Sequence, residues 1–187
     1  FYEGHDVSNV GYKFLLDKII EDNNFALIIK PKKPKLLKKK LGDNYKLLIE
    51  AKNTGRCIAY DNYAQHHVKN FEDTPAKIAM ASDLTIHDTL FAGTAGLESA
   101  LIGTKSILFD YYHLKKSQFD NNSLQIVYRN WDILWKDIKD DSNEKNLNLG
   151  NWEKIINKFD NYRDGKTNIR IMNFVEDLIN SKKSNLN

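Results

Sequence analysis

The chain has 187 residues, 41% of them hydrophobic and 28% charged, with a formal net charge of +3. That length is enough for one sizeable core and predicts a single domain over residues 1–187, while no apolar run approaches the roughly 18–20 residues of a membrane span. The weak positive balance does not by itself imply nucleic acid, and the single cysteine, Cys57, excludes an internal disulfide and fits a reducing cytoplasmic setting.

The chain starts at Phe1, and FYEGHDVSNVGY has no basic-then-apolar leader pattern, so it reads as a fragment of a longer protein. Over Val10–Asp22, the spacing of Val10 or Gly11 with Phe14, Leu15 and Ile19 predicts a helix. FALIIK, Phe25–Lys30, is a continuous apolar run of the kind that suits a parallel strand covered on both faces, and Pro31 ends it. Lys30–Lys40 packs seven lysines into eleven residues. Such a run is either a solvated face or a contact for an anionic substrate or an acidic membrane surface. No aromatic residues interleave with these lysines, and no nucleic-acid-binding module is visible, so no nucleic-acid partner is expected.

One or two short helices should follow, ending at Gly42 and Gly55, and then a second strand in RCIAYD. DTPAKIAMASD starts a helix, with Asp73 or Thr74 as cap and Pro75 in the first turn. LTIHD is a third strand, Lys105–Asp110 a fourth and LQIVY a fifth; between the third and fourth lies a helix over about Ala95–Ile102, closed by Gly103. The last third reads as helical, and the tail over 181–187 is expected to fray. Strands alternating with helices predict an α/β fold: a Rossmann-like parallel sheet flanked by helices, with the C-terminal helices packing on it. Ligands of such sheets sit outside the carboxyl ends of the strands. That places Lys30–Pro31, Asp61–Asn62, His87–Thr94 and Asp110–His113 along one rim.

FAGTAGLESALIGTKSILFD, Phe91–Asp110, carries the clearest chemistry. Gly93 and Gly96 permit positive φ and close approach of a ligand. Thr94 is placed to cap the helix, and the N–H groups beyond it, from Ala95 on, would point at an anion with the helix dipole behind them. Glu98, about one turn in, can accept hydrogen bonds from a pair of sugar hydroxyls; the alternative is a capping partner for Thr94, although their spacing is four where three is the pattern. Lys30 brings a cation to the end of the first strand, and His87 stands beside Asp88 at the end of the third. No Cys/His/Asp spacing suits zinc. Asp164-Gly165-Lys166 is a turn before the last helix, where Arg163 and Arg170 can pair with Asp160 or Asp164 and pin that helix.

As a set, the strand ending in Lys30–Pro31, PAKIAMASDLTI, GTAGLESALIGTKSILFD and YRDGKTNIRI resemble the C-terminal half of GT-B glycosyltransferases, above all those of bacterial surface polysaccharide and capsule synthesis. Related patterns occur in CDP-glycerol glycerophosphotransferases, GT-B sialyltransferases, Kdo transferases and UDP-GlcNAc 2-epimerases. The resemblance runs from about Phe25 to Leu178 and implies a nucleotide-sugar donor-binding domain. In sialyltransferase-like members a His-Pro pair after a strand contacts donor phosphate; Lys30–Pro31 occupies that place, keeping a cation without the histidine. A Ser/Thr pair at the later helix start does the same; Thr94 matches it, flanked by Gly93 and Ala95. Glu98 resembles the carboxylate that holds the ribose. The Arg163-Asp164-Gly165 run resembles a feature of surface-polysaccharide transferases without an assigned role.

The resemblance further implies no metal and no cofactor beyond the nucleotide-sugar substrate, and an N-terminal acceptor domain carrying the usual catalytic base, which this chain is too short to include. By itself the chain should bind nucleotide weakly and turn over nothing. The implied setting is cytoplasmic, peripheral to the inner membrane face. Two other readings stay open: an epimerase or CDP-glycerol-type phosphotransferase on the same fold, and a non-catalytic module that docks to an anionic membrane or partner through Lys30–Lys40.

Overall fold

The computed structural model describes residues 5–61, 74–87, 93–113, 119, 124–143 and 148–184. The architecture is α/β, with parallel sheets flanked by helices. Two compact units divide the chain, Phe1–Trp152 and Glu153–Asn187.

The first unit opens with α1 (His5–Glu21), β1 (Leu27–Ile29), α2 (Leu37–Leu41), α3 (Tyr45–Asn53) and β2 (Cys57–Ala59). The two strands pair in parallel, Leu27 opposite Cys57 and Ile29 opposite Ala59. Helix α2 is lysine-rich, yet it holds its place because Leu37 and Leu41, one turn apart, are fully buried while the lysines between them point outward. Burying each leucine contributes about 1.5–3 kcal/mol. Leu16 and Ile19 of α1, Leu48 and Ala51 of α3, and Ile29, Cys57 and Ala59 of the strands complete this core. Gly42 and Gly55 adopt positive φ, 52° and 75°, which glycine reaches without a Cβ penalty and which lets each helix stop where the sequence placed its end.

The second half of this unit contains α4 (Pro75–Met80), β3 (Leu84–His87), α5 (Gly93–Leu101), β4 (Lys105–Phe109), β5 (Val127–Tyr128) and α6 (Trp131–Ser142). Of the two expected caps on α4, the Thr74 side chain accepts from Lys77 N–H, while Asp73 lies outside the described residues. The strands form one parallel sheet in the order β3-β4-β5. Alternation along β4 sends Ile107 and Phe109 into a core with Tyr128, Leu134 of α6 and Leu149, with Leu84 and Ile86 of β3 packed against it. Ser106 and Leu108 face the other way, toward α5. Gly150 closes the amino-terminal side of this sheet: its N–H donates to Gln125 O at 3.0 Å and its carbonyl accepts from Ser106 N–H at 3.1 Å. The Trp152 indole donates to Ser106 O beside it.

The sequence predicts one parallel sheet, with the ends of its first four strands along one rim. Among the described residues the strands hydrogen-bond as two separate sheets, β1-β2 and β3-β4-β5. An aromatic column ties the two halves together. Phe25 packs on Trp135 at 4.7 Å, Phe14 on Trp135 and Trp131, and Trp131 stacks on Phe109 at 4.1 Å. Gly11 of α1 is what admits this contact, since a Cβ there would stand 2.5 Å from the Trp131 ring and 2.1 Å from the Tyr111 hydroxyl.

The second unit holds α7 (Glu153–Ile156) and α8 (Thr167–Ser184). The last third, expected to be helical, is interrupted after Ile156, and Asp160 accepts from the Arg163 N–H at 2.9 Å in the turn before α8. Helix α8 runs into the stretch expected to fray, through Ser184; residues 185–187 lie outside the described set. Among the described residues, no helix is long and apolar enough to cross a membrane.

Candidate functional site at the carboxyl rim of the second sheet

The β3–α5–β4 crossover puts the start of α5 at the carboxyl end of β3. Helix α5 begins at Gly93, so Thr94 lies within its first turn instead of capping it. The amides of Gly93, Thr94 and Ala95 belong to that first turn, where no intrahelical carbonyl is available to them and the helix dipole is positive. Thr94 and Glu98 are both exposed and, four residues apart, share a helix face.

Gly96 serves a different purpose from the one its place in a glycine-rich turn suggests. It is helical and buried, and a Cβ on it would stand 2.7 Å from Leu108 Cδ2, 3.3 Å from Ser106 Oγ and 3.4 Å from His87 Cδ2. Its small size brings helix against sheet, and no ligand reaches its backbone from that side. The His87 ring accordingly lies on the α5 side of the sheet, with Nε2 3.2 Å from Thr85 Oγ1. Thr85, His87 and Ser106 make that side of the sheet unusually polar, and Asp110 continues the same alternation just past the end of β4.

Asp110 is 1% exposed. Its Oδ2 accepts from Arg129 Nε at 2.8 Å, and its Oδ1 is buried with no hydrogen-bond partner among the described residues. Arg129 directly follows β5, and its side chain is 29% exposed. The rim therefore gathers His87, the first turn of α5, Asp110 and Arg129 from three adjacent strand ends. The sequence reading set Asp110 on the rim and passed over Arg129, although the rule that singled out Lys30, a cation directly after an apolar strand, applies equally to it.

The remaining candidates fall elsewhere. Lys30 and buried Pro31 sit at the end of β1, on the other sheet, where Lys30 Nζ lies 5.8 Å from the Tyr60 ring centroid and Lys52 pairs with Asp61 at 2.9 Å. Among the described residues, folding also brings Tyr45 to 5.2 Å from Lys38 Nζ, so aromatic rings meet lysines of this run although none is interleaved in the sequence. Asp88 lies outside the described residues. Arg163 and Asp164 belong to the second unit. There Arg170 is the arginine that pairs with Asp164, at 2.6 Å, while stacking over Tyr162 at 3.8 Å. The Arg170 guanidinium and the Lys166 amide hold the Asp164 carboxyl below the usual carboxylate range. Arg163 takes φ of 49° and contributes its backbone N–H to the turn. Among the described residues, no group of three or more His, Cys, Asp or Glu is placed to hold a metal.

No protein-family model, curated protein or solved structure matches the chain.

Proposed function

We propose that this chain is the nucleotide-sugar donor-binding domain of a GT-B glycosyltransferase of surface polysaccharide synthesis. The observation that carries the reading is the β3–α5–β4 crossover, which sets the first turn of α5, with exposed Thr94 and Glu98, at the carboxyl rim of a parallel sheet beside His87. Amides and a hydroxyl at that turn suit a phosphate, and a carboxylate one turn on suits vicinal hydroxyls of a sugar. Backbone donors and a helix dipole aimed at a departing phosphate stabilise its charge through electrostatics set in place by the fold. The acceptor site and the catalytic base lie on a separate domain in this reading, so the isolated chain binds donor and transfers nothing.

Thermal unfolding with CMP, CDP, UDP and GDP tests it. A ligand at 100 times its dissociation constant stabilises by about 2.7 kcal/mol. One of these nucleotides should raise the midpoint, and Thr94→Val and Glu98→Ala should each abolish the rise. A panel in which none of the four moves the midpoint removes the donor site.

The lysine-rich segment favours a second reading, a module that docks on an acidic membrane. Lys32, Lys33, Lys35, Lys38 and Lys39 are all exposed around the buried Leu37 and Leu41. Binding to anionic liposomes that is lost at high salt, with no response to any nucleotide, would favour this reading over the first.

A further inference from the structure

Asp110 poses a physical problem. A carboxylate withdrawn from water costs several kcal/mol, and an ion pair that buries it rarely returns more than an apolar side chain of similar size would. Here the pairing is also lopsided: Asp110 is 1% exposed and Arg129 is 29% exposed, so the acid is sealed while its partner reaches the surface. One carboxylate oxygen lacks a partner among the described residues, which makes the pair a poor stabilising device.

The arrangement makes sense as a way of aiming Arg129. Asp110 accepts from Nε, the guanidinium nitrogen nearest the chain. Because the guanidinium is rigid and planar, gripping Nε sets the direction of the whole fork, and such forks match the oxygens of phosphate groups. Both residues stand immediately after neighbouring parallel strands, Asp110 after β4 and Arg129 after β5, on the same rim as the α5 first turn. Strands in a sheet are about 4.8 Å apart, so the two strand spacings from β3 to β5 are comparable to the span of a diphosphate with its flanking groups.

We infer that Arg129 is a phosphate-binding residue of this rim and that Asp110 is the positioning residue that aims it, the ligand group being a pyrophosphate or phosphate ester. The identity of the ligand as a nucleoside diphosphate rests on the donor-binding reading; the anion site itself does not. Its chemistry is binding only, with no bond made or broken.

The test is calorimetric titration of the full chain with inorganic pyrophosphate, with CDP, UDP and GDP, and with the corresponding nucleosides. Arg129→Gln should weaken pyrophosphate and the bound nucleoside diphosphate by about tenfold or more, with nucleoside binding unchanged. Asp110→Asn should give the same split to a smaller degree, a pattern that a merely structural role does not produce because it would weaken all ligands together. In wild-type protein, pyrophosphate should protect Arg129 from phenylglyoxal, mapped by mass spectrometry, which keeps the proposal testable if a variant fails to fold. Unaltered diphosphate binding in Arg129→Gln, with loss in Glu98→Ala, overturns the inference and leaves the donor reading standing. Arg129-dependent pyrophosphate binding with no gain from any nucleoside supports the inference and sinks the donor reading. Absence of pyrophosphate protection at Arg129 overturns the inference outright.

Discussion

Strand β4 and helix α8 are both rich in apolar residues, and the molecule treats them oppositely. Ser106, Ile107, Leu108 and Phe109 are buried to the last, whereas Ile169, Ile171, Met172, Phe174, Val175, Leu178 and Ile179 are each 45–64% exposed. The α8 pattern is the more regular of the two: Ile171, Phe174, Val175 and Leu178 recur at the three- and four-residue spacing of a helix face. Periodicity records which face of an element gains from leaving water. Whether a neighbour covers that face is settled by topology, and β4 has neighbours on every side, with β3 and β5 at its edges and α5 and the Leu134 side of α6 on its two faces.

The sharpest way to break this contrast is to truncate each element and compare. Phe109→Ala removes the ring stacked on Trp131 and should cost about 3–5 kcal/mol in urea-induced unfolding. A loss under 1 kcal/mol would mean that the sheet core repacks and is not the anchor described above. Gly150→Ala should follow at about 2–3 kcal/mol, since φ of 60° strains an alanine and the new Cβ would meet Ser106 N at 2.8 Å, a backbone atom with little room to move. Retention of wild-type stability there would show that the 125–150–106 junction is loose. Leu178→Ala should change stability by no more than about 0.5 kcal/mol. A loss above about 1 kcal/mol in this last variant would mean that the α8 face is covered in solution and would erase the contrast.

Much of the local architecture was legible before folding. Pro31 after FALIIK, Thr74-Pro75 before α4, and Gly42 and Gly55 after their helices each act through φ or through a missing or satisfied N–H, and such effects reach only a residue or two. The α/β alternation was legible for a related reason: a parallel strand must be connected through a crossover, so strands and helices take turns along the chain. The site was harder to read. Gly96 looked like a residue kept small for a ligand and turned out to be kept small for Leu108, twelve residues later in the chain and directly opposite in space. Arg129 carried no motif at all, and it matters only because Asp110, nineteen residues earlier, ends the adjoining strand. Lys30 looked equivalent to it by the same local rule and went to the other sheet.

What the amino-acid sequence determined on its own was where capped and proline- or glycine-marked elements begin and end and which faces are apolar, because caps, prolines, positive-φ glycines and periodicity act over a few bonds. What only the tertiary structure decided was company: which strands share a sheet, which glycine touches a helix and which a turn, and which cation stands beside a buried acid. Those choices depend on packing between residues far apart in the chain, where burial and charge pairing are evaluated jointly and no short window of residues contains both partners.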